Sequence, residues 1–273
     1  MQTRTIPSTG EALPVIGLGT WQTFDVAPPQ YPPLQEVLSL MHAAGGRLID
    51  SSPMYGLAEE AVGNITAAMP QQKDFFYATK VWTRGADAGK TQVRNSYRLM
   101  KREVMDLVQI HNLLDWKTHL PHLRKLKEEG NLRYIGITHY QDSSHGDLAA
   151  LIKNESFDFV QFNYSINARH AEKELLPLCI DKGVATLINR PFGEGALFRK
   201  VANKPLPPWA AEAGIASWGA YFLRFILAHP GVTCVIPATG NPAHAADNLE
   251  SGEGATLDKE MLQRMVRFIE EER

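Results

Sequence analysis

Apolar positions along this chain follow two spacings in turn. Short runs rich in β-branched and other apolar residues fall at 15–19, 47–50, 75–80, 107–111, 133–138, 159–162, 185–188 and 233–237. Between them lie longer stretches at 33–44, 58–69, 90–102, 119–129, 144–153, 171–182 and 215–228, with two more at 243–249 and 258–270. In these the apolar residues recur every three to four positions, the spacing of a helix that buries one face. Strands that each lead into a helix predict a parallel sheet, and eight is the number that closes it into a barrel. The expected fold class is therefore α/β, a (β/α)8 TIM barrel. An open doubly wound sheet is the alternative, and eight similar units count against it. Residues 3–14 turn at Ser8-Thr9-Gly10 and predict an N-terminal β-hairpin able to plug the barrel's N-terminal end. No linker or low-complexity run interrupts the pattern, so residues 1–273 are expected to form one domain.

Composition narrows the function classes. The chain is 44% hydrophobic and 21% charged, with a formal net charge of -2 and no basic run, so a nucleic-acid surface is not expected. No apolar run approaches the roughly 20 residues of a membrane span, and Met1 to Pro7 lacks the apolar core of a signal peptide. Cys179 and Cys234 both sit in apolar stretches and provide no disulfide framework. The expected location is cytoplasmic. No His-Glu-x-x-His, Cys-x-x-Cys or Gly-x-Ser-x-Gly occurs and the histidines are scattered, so no metal site is expected. Glu59-Glu60 and Glu128-Glu129 read as solvated helix faces, and Trp116, His119 and His122 as part of the fourth helix and the turn into it.

In a barrel of this kind chemistry gathers at the C-terminal ends of the strands. The second strand ends at Asp50, the third at Lys80 and the fourth at His111, while Tyr55 follows in the loop after Asp50. Each alone has an ordinary explanation: a helix cap, a solvated charge, a structural histidine. Together they suit the reduction of a carbonyl. Hydride arriving at the carbonyl carbon leaves negative charge on oxygen, which an acid must protonate. A free tyrosine titrates near 10, and a neighbouring ammonium stabilises its anion. Lys80 can supply that charge, Asp50 can pair with Lys80, and His111 can align the carbonyl oxygen.

The residues around this set also resemble a known family. Gly46-Arg-Leu-Ile-Asp-Ser-Ser-Pro-Met-Tyr-Gly-Leu-Ala-Glu-Glu-Ala-Val-Gly63 resembles the first signature of the aldo-keto reductases, as Gly17-Leu-Gly-Thr-Trp21 resembles their first strand. Asp106 to His111 is similar to the fourth strand, and Leu126 to Thr138 to the fourth helix and fifth strand. The resemblance runs from about Pro14 to Asn248 and is to bacterial members with a short C-terminus. It implies the same fold, a nicotinamide cofactor as hydride donor, the catalytic set Asp50, Tyr55, Lys80 and His111, and a monomer.

The resemblance further implies cofactor contacts. Gly19 and Thr20 follow the first strand. Thr138 and Gln161 offer polar groups to the nicotinamide amide, with His139 where the family carries Asn. Asn189 replaces the aromatic that stacks on the nicotinamide, and Arg190 faces either the ring or the pyrophosphate. Pro191, Phe192 and Gly193 form a backbone cradle for the pyrophosphate. Thr239 and Asn241 lie where a phosphate meets a helix N-terminus, and Asn248 reaches the adenine. Ala238 and His244 stand where NADPH-preferring members carry Lys and Arg, so NADP(H) is the first expectation, with a weakened preference, and NAD(H) is possible. Trp21, Trp82 and Asn112 are the expected substrate pocket, and a chain ending directly after a helix implies an open site with broad, inefficient activity on small aldehydes or activated ketones. The alternative function is a catalytically weak NADP(H)-binding sensor or regulatory subunit on the same barrel.

Overall fold

The computed structural model describes residues 1–271. Strands β1 (Thr3–Thr5) and β2 (Ala12–Pro14) pair antiparallel as a hairpin. Eight further strands form one parallel sheet in chain order: β3 (Leu18–Gly19), β4 (Leu48–Asp50), β5 (Phe76–Val81), β6 (Met105–His111), β7 (Leu132–Thr138), β8 (Phe159–Asn163), β9 (Ala185–Asn189) and β10 (Cys234–Val235). The sheet closes on itself: Ile16 pairs with Val235 and Gly19 with Ala238, and Gly17 N–H donates to the Val235 carbonyl at 2.9 Å. The seam is short because Pro237 has no N–H to continue the ladder and the Val15 N–H donates instead to the Gln2 carbonyl at 3.1 Å. It is also close. A Cβ on Gly17 would lie 2.8 Å from the Leu48 carbonyl oxygen, so no larger residue fits there.

Helices pack outside the barrel. α1 (Tyr31–Ala43), α2 (Ala58–Ala67), α3 (Ala86–Leu99), α4 (Trp116–Glu128), α5 (His145–Asn154) and α6 (Leu175–Lys182) each follow one strand. After β9 come α7 (Ala196–Lys200), α8 (Pro208–Glu212) and α9 (Trp218–Leu227), and α10 (Pro242–Glu250) and α11 (Lys259–Glu271) follow β10. α9 begins at Ser217, whose hydroxyl accepts from Ala220 N–H at 2.9 Å, an N-cap. No helix among the described residues is long and apolar enough to cross a membrane.

The (β/α)8 expectation matches this architecture, with two differences of detail. The strand runs 15–19 and 233–237 shrink to a two-residue ladder flanked by single bridges, for the proline reason above. The short helices α7 and α8 lie in a stretch where the apolar spacing announced none. Two cores result. One lies inside the barrel, where Leu48, Phe76, Leu107, Phe159 and Leu187 meet Ile6 and Leu13 of the hairpin region, which therefore does plug the N-terminal end. The other lies between barrel and helices. With one end plugged by apolar side chains, the polar residues at the opposite, C-terminal strand ends are the ones that surround open space.

Candidate active site

That space is a cavity of about 430 Å³ at the C-terminal ends of the strands. β4 brings Asp50 to its floor and the following turn brings Tyr55 to its wall; β6 contributes His111. Lys80, on β5, is fully buried behind them: its Nζ donates to Asp50 Oδ2 and to the Ser51 carbonyl, both at 2.7 Å. Gln109 Nε2 donates to the other Asp50 oxygen at 3.1 Å. The parallel register explains the meeting, since Asp50 is level with Ala78 and Lys80 with Gln109, so both partners converge on one carboxylate.

The electrostatics of this set are asymmetric. Burial alone would lower the Lys80 ammonium, yet Asp50 and Tyr55 hold it above its ordinary value, so it stays charged. Burial pushes the Tyr55 phenol up, with Lys80 opposing and Asp50 adding to the rise. Lys80 Nζ lies 5.0 Å from the centre of the Tyr55 ring, close enough to favour the phenolate once it forms. Burial, with Lys80 and His139 nearby, lowers His111 to about 2, which makes its ring neutral. Ser52 Oγ accepts from Met54 N–H at 3.3 Å and lies 3.1 Å from His111 Nδ1. The Ser52 hydroxyl thus ties one nitrogen of the His111 ring and leaves Nε2 free to face the cavity. The Tyr55 and His111 rings meet edge to face with centroids 6.1 Å apart.

The opposite wall carries unsatisfied amide groups. Thr138 Oγ1 donates to Gln161 Oε1 at 3.0 Å, which turns Gln161 Nε2 away as a buried donor with no partner. Asn189 Oδ1 is a buried acceptor with no partner, and both residues line the cavity. Gln161 Nε2 and Asn189 Oδ1 together complement a primary carboxamide, which has one acceptor oxygen and an NH2 donor; Asn112 Oδ1, beside His111, is a further unpartnered acceptor in the lining. The nicotinamide head fits the pair of Gln161 and Asn189.

The structure gathers many of the residues expected from sequence and separates others. Gly19, Thr20, Thr138, Gln161, Arg190, Pro191 and Phe192 line the cavity, as do Trp21 and Asn112. Trp82 is not among the lining residues; it is 40% exposed, with its ring 6.2 Å from that of His111. His139 is not among the residues lining the cavity; it stacks behind the lining residue Tyr140 at 5.3 Å. Gly193 sits in the turn after β9 with φ +55. Asn241 caps α10, its Oδ1 accepting from Ala243 N–H at 2.9 Å and His244 N–H at 3.4 Å. That cap occupies donors the sequence reading had offered to a phosphate. His244 is exposed, Ala238 lines the far end of the cavity, and Thr239 and Asn248 flank a separate crevice beside Ile16 and Leu249.

The sequence reading did not assign Ser52, Gln109, Tyr140 and Glu194 to the site, nor the lining residues Gln22, Thr23, Met54, Gly195 and Ile236. Ser52 had a signal, since two residues beyond a strand-end Asp is within reach of the neighbouring strand's end. Tyr140 and Glu194 had none, because their meeting depends on two loops. One expectation is corrected. Glu59 is 2% exposed and not part of a solvated face; its carboxylate accepts from Thr79 Oγ1 under α2, whereas Glu60 is exposed.

The family model described as the aldo/keto reductase family matches residues 15–270. Among curated relatives, methylglyoxal reductase YeaE of Escherichia coli is 26% identical over 276 aligned residues, covering 95% of each chain. An NADH-specific methylglyoxal reductase of the same organism is 27% identical, covering 73% of this chain and 70% of its own. Among solved structures, an aldo-keto reductase from Klebsiella pneumoniae in complex with NADPH superposes with a TM-score of 0.82 at 22% identity, covering 98% of this chain and 95% of its own.

Proposed function

The chain belongs to the aldo/keto reductase family, and from that premise we propose that it is an oxidoreductase reducing small aldehydes, dicarbonyls or ketones with a nicotinamide nucleotide, NADP(H) first and NAD(H) possible. One observation carries the reading. A phenol and a neutral imidazole, backed by a buried ammonium–carboxylate pair, share a cavity with a free amide donor and a free amide acceptor. Similarity to methylglyoxal reductases, one of them NADH-specific, supports a small carbonyl and leaves either nucleotide open.

When bound, the nicotinamide supplies the hydride. The chain's own residues do the rest. Gln161 and Asn189 orient the carboxamide and so fix which ring face meets the substrate. His111, proton on Nε2, donates a hydrogen bond to the substrate oxygen; being neutral, it aligns the oxygen without competing as the acid. Tyr55, held protonated by its raised pKa, donates its proton to the oxygen as charge develops there. The phenolate left behind faces Lys80, whose charge Asp50 maintains, with Gln109 fixing Asp50. Trp21 and Asn112 shape the substrate end. A cytoplasmic, monomeric enzyme completes the proposal; a stable dimer in sedimentation would refute the last term.

The test follows NADPH and NADH oxidation with a panel of aldehydes, dicarbonyls and quinones, comparing wild type with Tyr55→Phe. Loss of positioned proton transfer is expected to lower turnover on the order of 10²–10⁴-fold while nucleotide binding persists. Turnover equal in the two proteins on every substrate, with tight nucleotide binding, would instead support a nucleotide-binding role without catalysis.

A further inference from the structure

Arg190 is the only Lys or Arg among the described residues that line the cavity. It stands directly after β9 with φ +51, a left-handed backbone that a side chain of this size rarely adopts. Its guanidinium lies 4.1 Å over the Tyr140 ring, and its Nη2 is 2.8 Å from Glu194 Oε1. Tyr140 and Glu194 line the same cavity from the loops after β7 and β9. The stack on Tyr140 fixes the plane of the guanidinium, and the Glu194 carboxylate occupies the place that any other anion would take.

The two contacts differ in strength. Arg190 and Glu194 keep side-chain exposures of 32% and 47%, and an ion pair that wet changes an equilibrium by only about fivefold or less. A planar guanidinium meeting phosphate or carboxylate through two parallel hydrogen bonds, with the ligand itself displacing water from the contact, is worth roughly 10- to 100-fold. The second contact wins where it is available.

Building on the function proposed above, we propose that Arg190 and Glu194 form an exchangeable clasp: Arg190, held on Tyr140, leaves Glu194 to bind an anionic oxygen group of a ligand in the cavity. Two sources offer that chemistry, the pyrophosphate of the nucleotide and a carboxylate on the carbonyl substrate. Glu194 then acts as a competing anion that weakens binding and speeds release.

The experiment titrates wild type, Arg190→Met and Glu194→Gln with NADP+, reading tryptophan fluorescence and calorimetric heat at low and high salt. It also compares kcat/KM for glyoxylate, which carries a carboxylate, with that for neutral methylglyoxal. For a pyrophosphate partner, Arg190→Met weakens NADP+ binding about 10-fold or more, and Glu194→Gln tightens it about two- to fivefold at low salt. For a carboxylate partner, NADP+ affinity stays constant. The glyoxylate-to-methylglyoxal ratio then falls about 10-fold in Arg190→Met and rises in Glu194→Gln. The clasp is overturned if Arg190→Met leaves both readouts within twofold of wild type. It is equally overturned if Glu194→Gln weakens binding as Arg190→Met does, since the pair would then be a structural tie. Either result leaves the reductase reading intact, whereas a wild type that binds no nicotinamide nucleotide and reduces no carbonyl removes both.

Discussion

The buried pair of Lys80 and Asp50 offers a test in which stability and chemistry separate. Lys80 is 0% exposed and Asp50 2% exposed, so neither charge can be left to water when its partner is removed. Asp50→Asn keeps the size of the acceptor and discharges it, leaving the ammonium with the Ser51 carbonyl as its remaining strong acceptor. Lys80→Met keeps the length of the side chain and strands a carboxylate with Gln109 Nε2. Removing one partner of a buried pair costs about 3–5 kcal/mol, whereas replacing both by neutral groups is often close to neutral. The double variant should therefore lie at least about 2 kcal/mol above the sum of the single losses. Urea unfolding at pH 7, followed by circular dichroism and by tryptophan fluorescence, measures all four proteins. The same four proteins are assayed for NADPH-dependent carbonyl reduction. Stability should recover in the double variant and activity should not, because the neutral pair leaves nothing to stabilise the Tyr55 phenolate. Single losses that add to within about 0.5 kcal/mol would refute the coupling. Full activity in Lys80→Met would refute the assigned chemistry.

Other consequences are accessible to simple assays. His111, lowered to about 2 in the folded chain, gains a proton mainly on unfolding, so its share of stability is present above the unfolded pKa near 6.5 and is lost as pH falls. Wild type should lose about 1 kcal/mol more per pH unit than His111→Asn between roughly pH 6 and pH 4, read from urea midpoints. Equal slopes would show that His111 is protonated in the fold. Glu59 has the opposite sign: burial raises its carboxyl, so its share of stability is full at low pH and is lost as pH rises. Glu59→Gln, which can still accept from Thr79, should match wild type near pH 4 and exceed it at pH 7, and a lower melting temperature at pH 7 would contradict this. Gln161→Leu should weaken nucleotide binding by roughly 10-fold, the loss of one hydrogen bond to a buried amide, while Tyr55→Phe leaves that binding unchanged in the same calorimeter. Ser52→Ala should reduce kcat several-fold with little change in KM, since it frees the His111 tautomer; an unchanged kcat would remove Ser52 from the site.

What could be read from sequence follows from geometry. In a parallel barrel every strand end faces the same rim, so residues far apart in the chain become neighbours by rule. That rule places Asp50, Lys80 and His111 together without any knowledge of side-chain contacts. It fails where a side chain's surroundings come from elements that no periodicity relates. Glu59 lies in the first turn of α2 beside an exposed Glu60, and nothing in that dipeptide distinguishes the residue turned under the helix onto Thr79 from its solvated neighbour. Gln161 illustrates a middle case. The strand end is predictable, but its importance rests on Thr138 taking its oxygen and leaving its nitrogen free, a choice made by register between β7 and β8.

The cofactor wall shows why such differences matter for function. Asn189 stands where the resemblance leads one to expect an aromatic ring, and its side chain cannot supply the lost stacking surface. The cavity compensates by other means: a free amide acceptor at Asn189 Oδ1, and a guanidinium plane held over Tyr140 from the next residue. An aromatic at position 189 would grip the nicotinamide by its face. In the proposed mode an amide there holds it by its carboxamide edge and leaves the face to its neighbours. Binding of the nucleotide then rests more on polar contacts, which depend on salt and on orientation, and less on apolar area, which does not. At the adenine end the same shift holds, since the α10 N-terminus is closed by its own Asn241 cap and no Lys or Arg stands at 238 or 244. A chain so arranged should hold its nucleotide loosely and discriminate weakly between NADPH and NADH. Replacing Ala238 by Lys should then favour NADPH over NADH by about three- to fivefold at low salt, the worth of one exposed charge contact, and a ratio unmoved by that substitution would place the 2′-phosphate somewhere other than the mouth of β10.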